Sequence, residues 1–376
     1  MYDQIRQDTL FIILYTVTMV MAAMASIYLL FRRGNAFASD IIPPRRLRRW
    51  TAAFLAVSAV GHLWYLPAAV LTSADDIMLS MLIGALLDCM LTIPLALVVM
   101  LCMLQDRRRP LWPVSVMVAP LVVGMVVCIV TRSEALLPWL YGYFLLMAVG
   151  FTIYMVCAVQ QYGRWLRDNY ADLEHKEVWQ SFVVLAVIML TFGYYVVGYE
   201  GKTYEYIVQV LGLVLIGYLL WRVETLSDLS LPIQTDEAIA VDDAVAETVV
   251  TEDVEDNAQP SVRKNIGPLL KQHCEEPQLY LQYNLSLSQL ATMIGVNRSY
   301  LSKHFALQGI SYNAYINGLR IQHFVNLCHE RATTHQPLSV KQLAFESGFR
   351  SYSTFNAAFH QIMGTTATEW MRNVSE

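Results

Sequence analysis

The sequence predicts an all-α protein: a seven-helix transmembrane bundle over residues 1–224, an acidic disordered linker over 225–260, and an all-α double helix-turn-helix domain over 261–376. Three observations carry this. The first 224 residues hold seven apolar runs of membrane-crossing length. Residues 225–260 hold ten Asp/Glu and no Lys, Arg or aromatic residue. Residues 286–305 (SLSQLATMIGVNRSYLSKHF) and 339–359 (SVKQLAFESGFRSYSTFNAAF) repeat one pattern.

The seven runs lie near 9–31, 51–71, 77–104, 111–131, 135–159, 178–199 and 203–222. In lipid the backbone must satisfy its own hydrogen bonds, so each is expected to be a helix. The first is expected to stay in the chain although Ala23-Met24-Ala25 resembles a cleavage site. Its leader carries Asp3, Arg6 and Asp8 instead of a basic n-region, and its apolar stretch is too long. Arginine sets the orientation. The loop 32–50 holds six (Arg32, Arg33, Arg45, Arg46, Arg48, Arg49), loop 105–110 holds Arg107, Arg108 and Arg109, and loop 160–177 holds Arg164, Arg167 and Lys176. The alternate loops carry at most one basic residue each, so the N-terminus is expected outside and the C-terminus in the cytoplasm of a bacterial inner membrane.

Ionisable groups are scarce inside the runs. Asp88 in the third and His62 in the second both fall near the midplane, on neighbours joined by a five-residue loop, 72–76. A carboxylate and an imidazole at that depth are costly unless partnered, which makes His62 and Asp88 candidate sensing residues, with helix-to-helix glue as the alternative. Pro67, Pro94 and Pro120 are expected to kink helices and to line a cavity. Tyr194, Tyr195, Tyr199, Tyr204 and Tyr206 read as an interfacial aromatic belt ahead of a ligand cage. Cysteines at 89, 102, 128, 157, 274 and 328 sit in no metal spacing and are expected to be reduced packing residues.

The linker lacks the apolar side chains needed to offset its chain entropy, so it reads as a tether. A mimic of a polyanion, holding a basic domain off its partner, is the other reading.

After residue 261 the composition changes. There are ten Lys/Arg against six Asp/Glu, a net charge of +4 in a chain whose total is −5. The chain-wide apolar content of 56 % and mean hydropathy of +0.40 average two unlike halves. Helices are expected near 262–275, 286–294, 298–308, 311–330, 339–347, 351–362 and 366–373, with Ser311 as an N-cap and Gly364 as a stop. The repeat aligns Ser286 with Ser339, Gln289 with Gln342, Leu290 with Leu343, Ala291 with Ala344 and Gly295 with Gly348. One further residue in the second turn brings Phe305 onto Phe359. A small Ala lets two helices approach, and a Gly four residues later lets the chain turn. In the second helix of each unit, Leu301 and Phe305, or Phe355 and Phe359, stand four apart and are expected to face inward. That turns Arg298, Ser299, Ser302 and Lys303 outward in the first unit and Tyr352, Ser353 and Asn356, with His360, outward in the second. An α-helix with such side chains fits a DNA major groove, so these seven are the candidate DNA-binding residues.

These residues resemble the AraC/XylS family of bacterial transcription regulators. The resemblance rests on Leu287, Leu290, Ala291, Gly295, Tyr300-Leu301-Ser302 and Phe305. Gly309-Ile310-Ser311, Tyr315-Ile316 and Arg320-Ile321 carry it through the long helix. Leu343-Ala344, Ser347-Gly348-Phe349, Phe355, Phe359, Met363-Gly364 and Glu369-Trp370-Met371-Arg372 carry it through the second unit. It covers about 286–372 and implies a long helix that holds two recognition helices against successive major grooves. The chain departs from the family at Ala367, where Pro is usual, and at Ala357, Ala358 and Gln361, where basic or polar residues are usual. The first unit is therefore expected to be the main reader.

Together these readings imply a membrane-anchored one-component transcription factor, not an enzyme, that needs no cofactor or metal. Its expected partners are double-stranded promoter DNA, the lipid bilayer and an unknown small-molecule or envelope signal, with room for a homodimer. A transporter or channel-like protein with a cytosolic DNA-binding reporter domain is the alternative.

Overall fold

Uncharged apolar runs leave the backbone to bond to itself, and in the computed structural model, which describes residues 8–32, 35–37, 41–179, 184, 202–229, 266–334 and 339–375, every regular element is helical. An isolated bridge pairs Tyr170 with Ser286. The chain divides into two compact units, 1–162 with 175–232 and 163–174 with 233–376.

The first unit opens with α1 (Thr9–Phe31), whose start is capped by the Asp8 side chain accepting from the Phe11 N–H at 3.3 Å. α2 (Arg45–Trp64) packs closely on it because the seam is built from small residues, Ala22, Ala25 and Ser26 against Thr51 and Ala52. The Ser26 hydroxyl donates across that seam to the Ala52 carbonyl at 2.8 Å. Next come α3 (Pro67–Val70) and α4 (Ala74–Leu87), which runs through a π-helical turn (Asp88–Thr92) into α5 (Ile93–Cys102). Pro94 has no N–H and its ring crowds the carbonyl four residues back, that of Met90, inside the π-helical turn. The wider register relieves that conflict without ending the helix. α6 (Trp112–Thr131), α7 (Leu137–Asn169) and α8 (Lys202–Thr225) follow. Leu82, Cys89, Val118, Leu121, Met125, Cys128 and Met147 form one packed cluster among α4, the π-helical turn, α6 and α7, while α8 packs on α1 and α2.

Five of the described helices are long and apolar enough to cross a membrane: Thr9–Phe31, Ala74–Cys102, Trp112–Thr131, Leu137–Asn169 and Glu205–Thr225. Their outer faces carry exposed apolar side chains such as Leu10, Val17 and Met24 on α1, Val116, Val123 and Val130 on α6, and Leu146 and Ile153 on α7. That distribution suits lipid and would be a liability in water. The second expected run, 51–71, is observed as α2 and α3 with a break at Tyr65–Leu66. The sixth run, 178–199, and the linker lie essentially outside the described residues. In the loop 105–110, Arg109 is buried and forms a bidentate ion pair with Asp106, at 2.7 and 3.1 Å. It therefore offers no free charge to a headgroup. Cys157 is exposed, unlike the packing role expected of it, while the other five cysteines are buried.

The second unit contains α9 (Ile266–Leu270) with a π-helical turn to Glu275, a 3-10 turn (Leu279–Leu281), then α10 (Leu287–Met293), α11 (Arg298–Leu307), α12 (Tyr312–Thr333), α13 (Val340–Glu346), α14 (Tyr352–Met363) and α15 (Ala367–Ser375). Serine starts four of these helices, Ser351 being the cap of α14. Ser286 forms a reciprocal capping box with Gln289, Ser311 accepts from the Ala314 N–H and Ser339 from the Gln342 N–H. The α12 helix belongs to two cores. Tyr312 and Ile316 pack with Leu290, Leu301 and Phe305, while Ile321, Phe324 and Cys328 pack with Leu343, Phe355 and Phe359. At their junction lies Arg320, 1 % exposed. Its Nε donates to the Tyr280 carbonyl at 2.7 Å and an Nη to that of Gln282 at 2.8 Å. Burial pulls its pKa down to about 10, so it stays charged at neutral pH.

Candidate functional site

Both helix-turn-helix units turn on a glycine in the left-handed region, Gly295 at φ 71° and Gly348 at φ 84°, a conformation that costs an L-residue about 1–2 kcal/mol. This fixes the second helix of each unit against the first. In α11, Asn297 caps the start by accepting from the Ser299 N–H at 2.8 Å. Leu301 and Phe305 are buried, and the Phe305 ring packs 5.1 Å from Tyr315 of α12. The opposite face leaves Arg298, Ser299, Ser302 and Lys303 exposed, a contiguous strip of two cations and two hydroxyls on a helix held rigidly from behind.

In α14, Ser351 is the cap, and Phe355 and Phe359 are fully buried, their rings 4.7 and 5.6 Å from that of Phe324 of α12, the first tilted and the second edge-to-face. Ser353 and His360 are exposed, while Asn356 is half-buried. Tyr352 is half-buried too, its ring 5.8 Å from Phe355 as part of the second core. Ala358 is buried at 7 % exposure, so its small side chain belongs to packing, whereas Ala357 is exposed.

Sequence reasoning missed one participant. Residues 163–174 belong to this unit: Ala171 is fully buried in the first core, and Asn313 of α12 donates to the Ala171 carbonyl at 2.6 Å. The Asn169 side-chain oxygen accepts from Arg298, with the Arg298 Nε at 3.1 Å. Nothing in the local pattern around Asn169 signals this, because the contact is set by tertiary packing.

The two sensing candidates lie in the first unit and line one cavity. Each takes its own partners. Asp88 accepts from the Tyr65 hydroxyl at 2.5 Å and from Thr92 at 2.8 Å. His62 Nδ1 bonds the Ser58 carbonyl at 2.7 Å, and Nε2 faces the Gln209 amide at 3.4 Å. Tyr15, Tyr65, Thr92 and Gln209 were not singled out from the sequence. Their signal was the recurrence of polar residues at helical spacing, Ser58 with His62 and Asp88 with Thr92, inside apolar runs. Pro67, Pro94 and Pro120 are not among the residues that line this cavity.

Residues 290–373 match the family model described as a helix-turn-helix domain. The chain is similar to an uncharacterized HTH-type transcriptional regulator of Staphylococcus aureus, 28 % identical over 102 residues, which is 27 % of this chain and 13 % of the relative. Counterparts in strains MRSA252 and COL are 28 % and 26 % identical over the same coverage. The matched stretch thus spans about an eighth of those relatives. No solved structure matches.

Proposed function

We propose that the chain is a membrane-embedded, one-component transcription factor of the AraC/XylS kind. Residues 1–224 cross the bacterial inner membrane seven times with the N-terminus outside, residues 225–260 tether, and residues 261–376 bind promoter DNA from the cytoplasm. The observation that carries the reading is the exposed strip of α11: Arg298, Ser299, Ser302 and Lys303 on a helix clamped by Leu301 and Phe305. Arg forks onto guanine O6 and N7, Lys reaches guanine or phosphate, and the hydroxyls bond either groove edge or backbone. The 22 residues of α12 give a helix about 33 Å long. That is close to the ~34–36 Å of one DNA turn, so units built on its two halves suit successive major grooves. The exposed apolar faces of the first unit support its place in a bilayer, where it receives the signal. For DNA to reach Arg298, it must displace Asn169.

Chromatin immunoprecipitation with the intact protein tests this reading. Discrete enriched sites are expected, lost in an Arg298→Ala/Lys303→Ala double variant at equal protein level. Signal no higher than in cells lacking the protein overturns it. C-terminal fusion to a reporter that is active only in the cytoplasm tests the orientation separately.

A further inference from the structure

The first unit contains a half-open cavity of about 330 Å³, within the range of small-molecule sites. It is polar at one end and apolar at the other. Three helices each step seven residues from one end to the other: Tyr15 to Ala22 on α1, His62 to Leu55 on α2, and Gln209 to Ile216 on α8. At 1.5 Å per residue that is about 10 Å. Asp88 and Thr92 join the polar end from the π-helical turn, a deviation from α-helix that concentrates at functional sites.

The chemistry of the polar end is one-sided, because its hydroxyls already donate to the protein. Tyr15 donates to the His62 carbonyl at 2.5 Å, Thr18 to Leu14 at 2.9 Å and Ser58 to Phe54 at 2.8 Å. Tyr65 and Thr92 both donate to Asp88. His62 Nδ1 faces the Ser58 carbonyl, which can only accept, so that nitrogen carries a proton engaged outside the cavity. What these groups offer a guest is lone pairs and one carboxylate. The Gln209 amide is the exception, and no Lys or Arg is among the lining residues. An anion is repelled by such a wall. A plain alkyl chain leaves the Asp88 carboxylate with two hydroxyl donors and, as its one charged neighbour on the wall, His62, whose ring nitrogens are turned to the Ser58 carbonyl and the Gln209 amide instead of to the carboxylate, which is costly in a low-dielectric site. A cation bearing N–H groups answers both deficits, and the rings of Tyr15 and Tyr65 at the polar end add attraction to its charge.

We propose that this cavity binds a small primary ammonium ion with an apolar body about 10 Å long, the N–H groups on Asp88 and the body against Leu55, Leu215 and Ile216. That the amine is the signal rests on the function proposed above; its binding does not.

The test uses the full chain in lipid nanodiscs without DNA, so failure here is separate from failure to bind promoters. Thermal unfolding is followed while propylammonium, hexylammonium, hexanol and hexanoate are titrated. A saturable rise in Tm with hexylammonium, absent with hexanol and hexanoate, is expected. Asp88→Asn, which preserves shape, should weaken hexylammonium by at least about tenfold, the loss of one charge-assisted hydrogen bond. Leu215→Trp keeps the carboxylate and fills the apolar end. It should abolish hexylammonium binding and leave propylammonium binding intact, which also guards against an Asp88 variant that fails to fold. Hexanol or hexanoate acting as strongly as hexylammonium, an undiminished response in Asp88→Asn, or no saturable response to either amine overturns the proposal.

Discussion

The two helix-turn-helix units share a turn and differ in what the second helix presents. Aligned through the extra residue, Arg298 stands opposite Tyr352, Ser302 opposite Asn356 and Lys303 opposite Ala357, while Leu301 and Phe305 match Phe355 and Phe359. The inward pairs are buried in both. Outward, α11 keeps two cations in solvent, whereas α14 draws Tyr352 into its core and shows an alanine where Lys303 would be. The second unit is also the more tightly held, with Phe324, Phe349, Phe355, Phe359 and Trp370 in ring contact. The repeat keeps the element that sets backbone geometry and varies the face the second helix presents. Under the function proposed above, the first unit is the main reader and the second an anchor with a smaller reading surface.

The largest effect that can break this comparison lies at the turns. A Cβ on Gly295 meets open space, while one on Gly348 falls 2.6 Å from both Cα and O of Leu281. Gly295→Ala is therefore expected to cost about 1–2 kcal/mol of backbone strain. Gly348→Ala adds an overlap with backbone that has no flexible end, for a total of about 3–5 kcal/mol. Urea unfolding of the two variants checks this. Equal losses would mean that the second unit is no more rigidly anchored than the first.

Next in size is the reading surface. Arg298→Ala and Lys303→Ala are each expected to weaken promoter binding by about 1–3 kcal/mol, and Tyr352→Ala and Asn356→Ala by less. Ala357→Lys sharpens the point by restoring to α14 the cation that α11 has. It should raise affinity and steepen the slope of log K against log salt by about 1. Anisotropy titrations at several salt concentrations measure both. A ranking in which Asn356→Ala does more damage than Lys303→Ala would reverse the assignment of reader and anchor.

Much of this was legible in the sequence because it is local. Serine caps and turn glycines act within four residues, so α10, α12 and α13 start within a residue of the expected 286, 311 and 339, each behind a serine cap. The buried faces followed from the four-residue spacing of Leu301 with Phe305 and of Phe355 with Phe359, but Tyr352, expected to face outward, packs against the second core. What stayed hidden depends on distant partners. The π-helical turn at Asp88–Thr92 left only Pro94 as a trace. Nothing in the spacing marks Arg320 as interior, yet it is 1 % exposed, because the carbonyls it serves lie some 40 residues away, at Tyr280 and Gln282. Likewise His62 and Asp88 were placed at one depth from helix rise alone, but spacing does not say that Tyr65, Thr92 and Gln209 line one cavity with them.

A smaller effect concerns His323, on α12 where the two cores meet. Its Nδ1 lies 3.4 Å from the Tyr280 hydroxyl, and burial lowers its pKa below the ordinary 6.5, against the pull of Glu330 and Glu346. A lowered cation pKa means that the unfolded chain takes up the proton first as pH falls. The stability involved is present above about 6.5 and is lost as pH drops through the folded value. His323→Gln should therefore narrow the difference between unfolding midpoints at pH 7 and pH 5. An unchanged difference would assign the acid sensitivity elsewhere.

The smallest expected effect is an asymmetry at the end of the first helix of each unit. Glu346 of α13 accepts from Arg331 at 2.5 Å and from Gln342 at 2.9 Å, whereas the matching position in the first unit is the exposed Met293. The Arg331 bond is the main reason that the Glu346 carboxyl titrates below its usual 4.5. For a depressed carboxyl, the stability is present above the unfolded value and lost as pH falls through the folded one. Solvent reaches both side chains, 21 % exposed for Arg331 and 35 % for Glu346, so screening limits the pair to about 0.2–1 kcal/mol. Glu346→Gln should cost that much at pH 7 and low salt, and progressively less toward 1 M salt, where the screening length is about 3 Å. As pH falls below 4.5 and through the lowered folded value, the variant and the parent should converge, since the parent carboxyl then itself becomes neutral. A loss that persists unchanged in acid and in high salt would mean that Glu346 acts through packing, and that the ion pair adds nothing to the rigidity of the second unit.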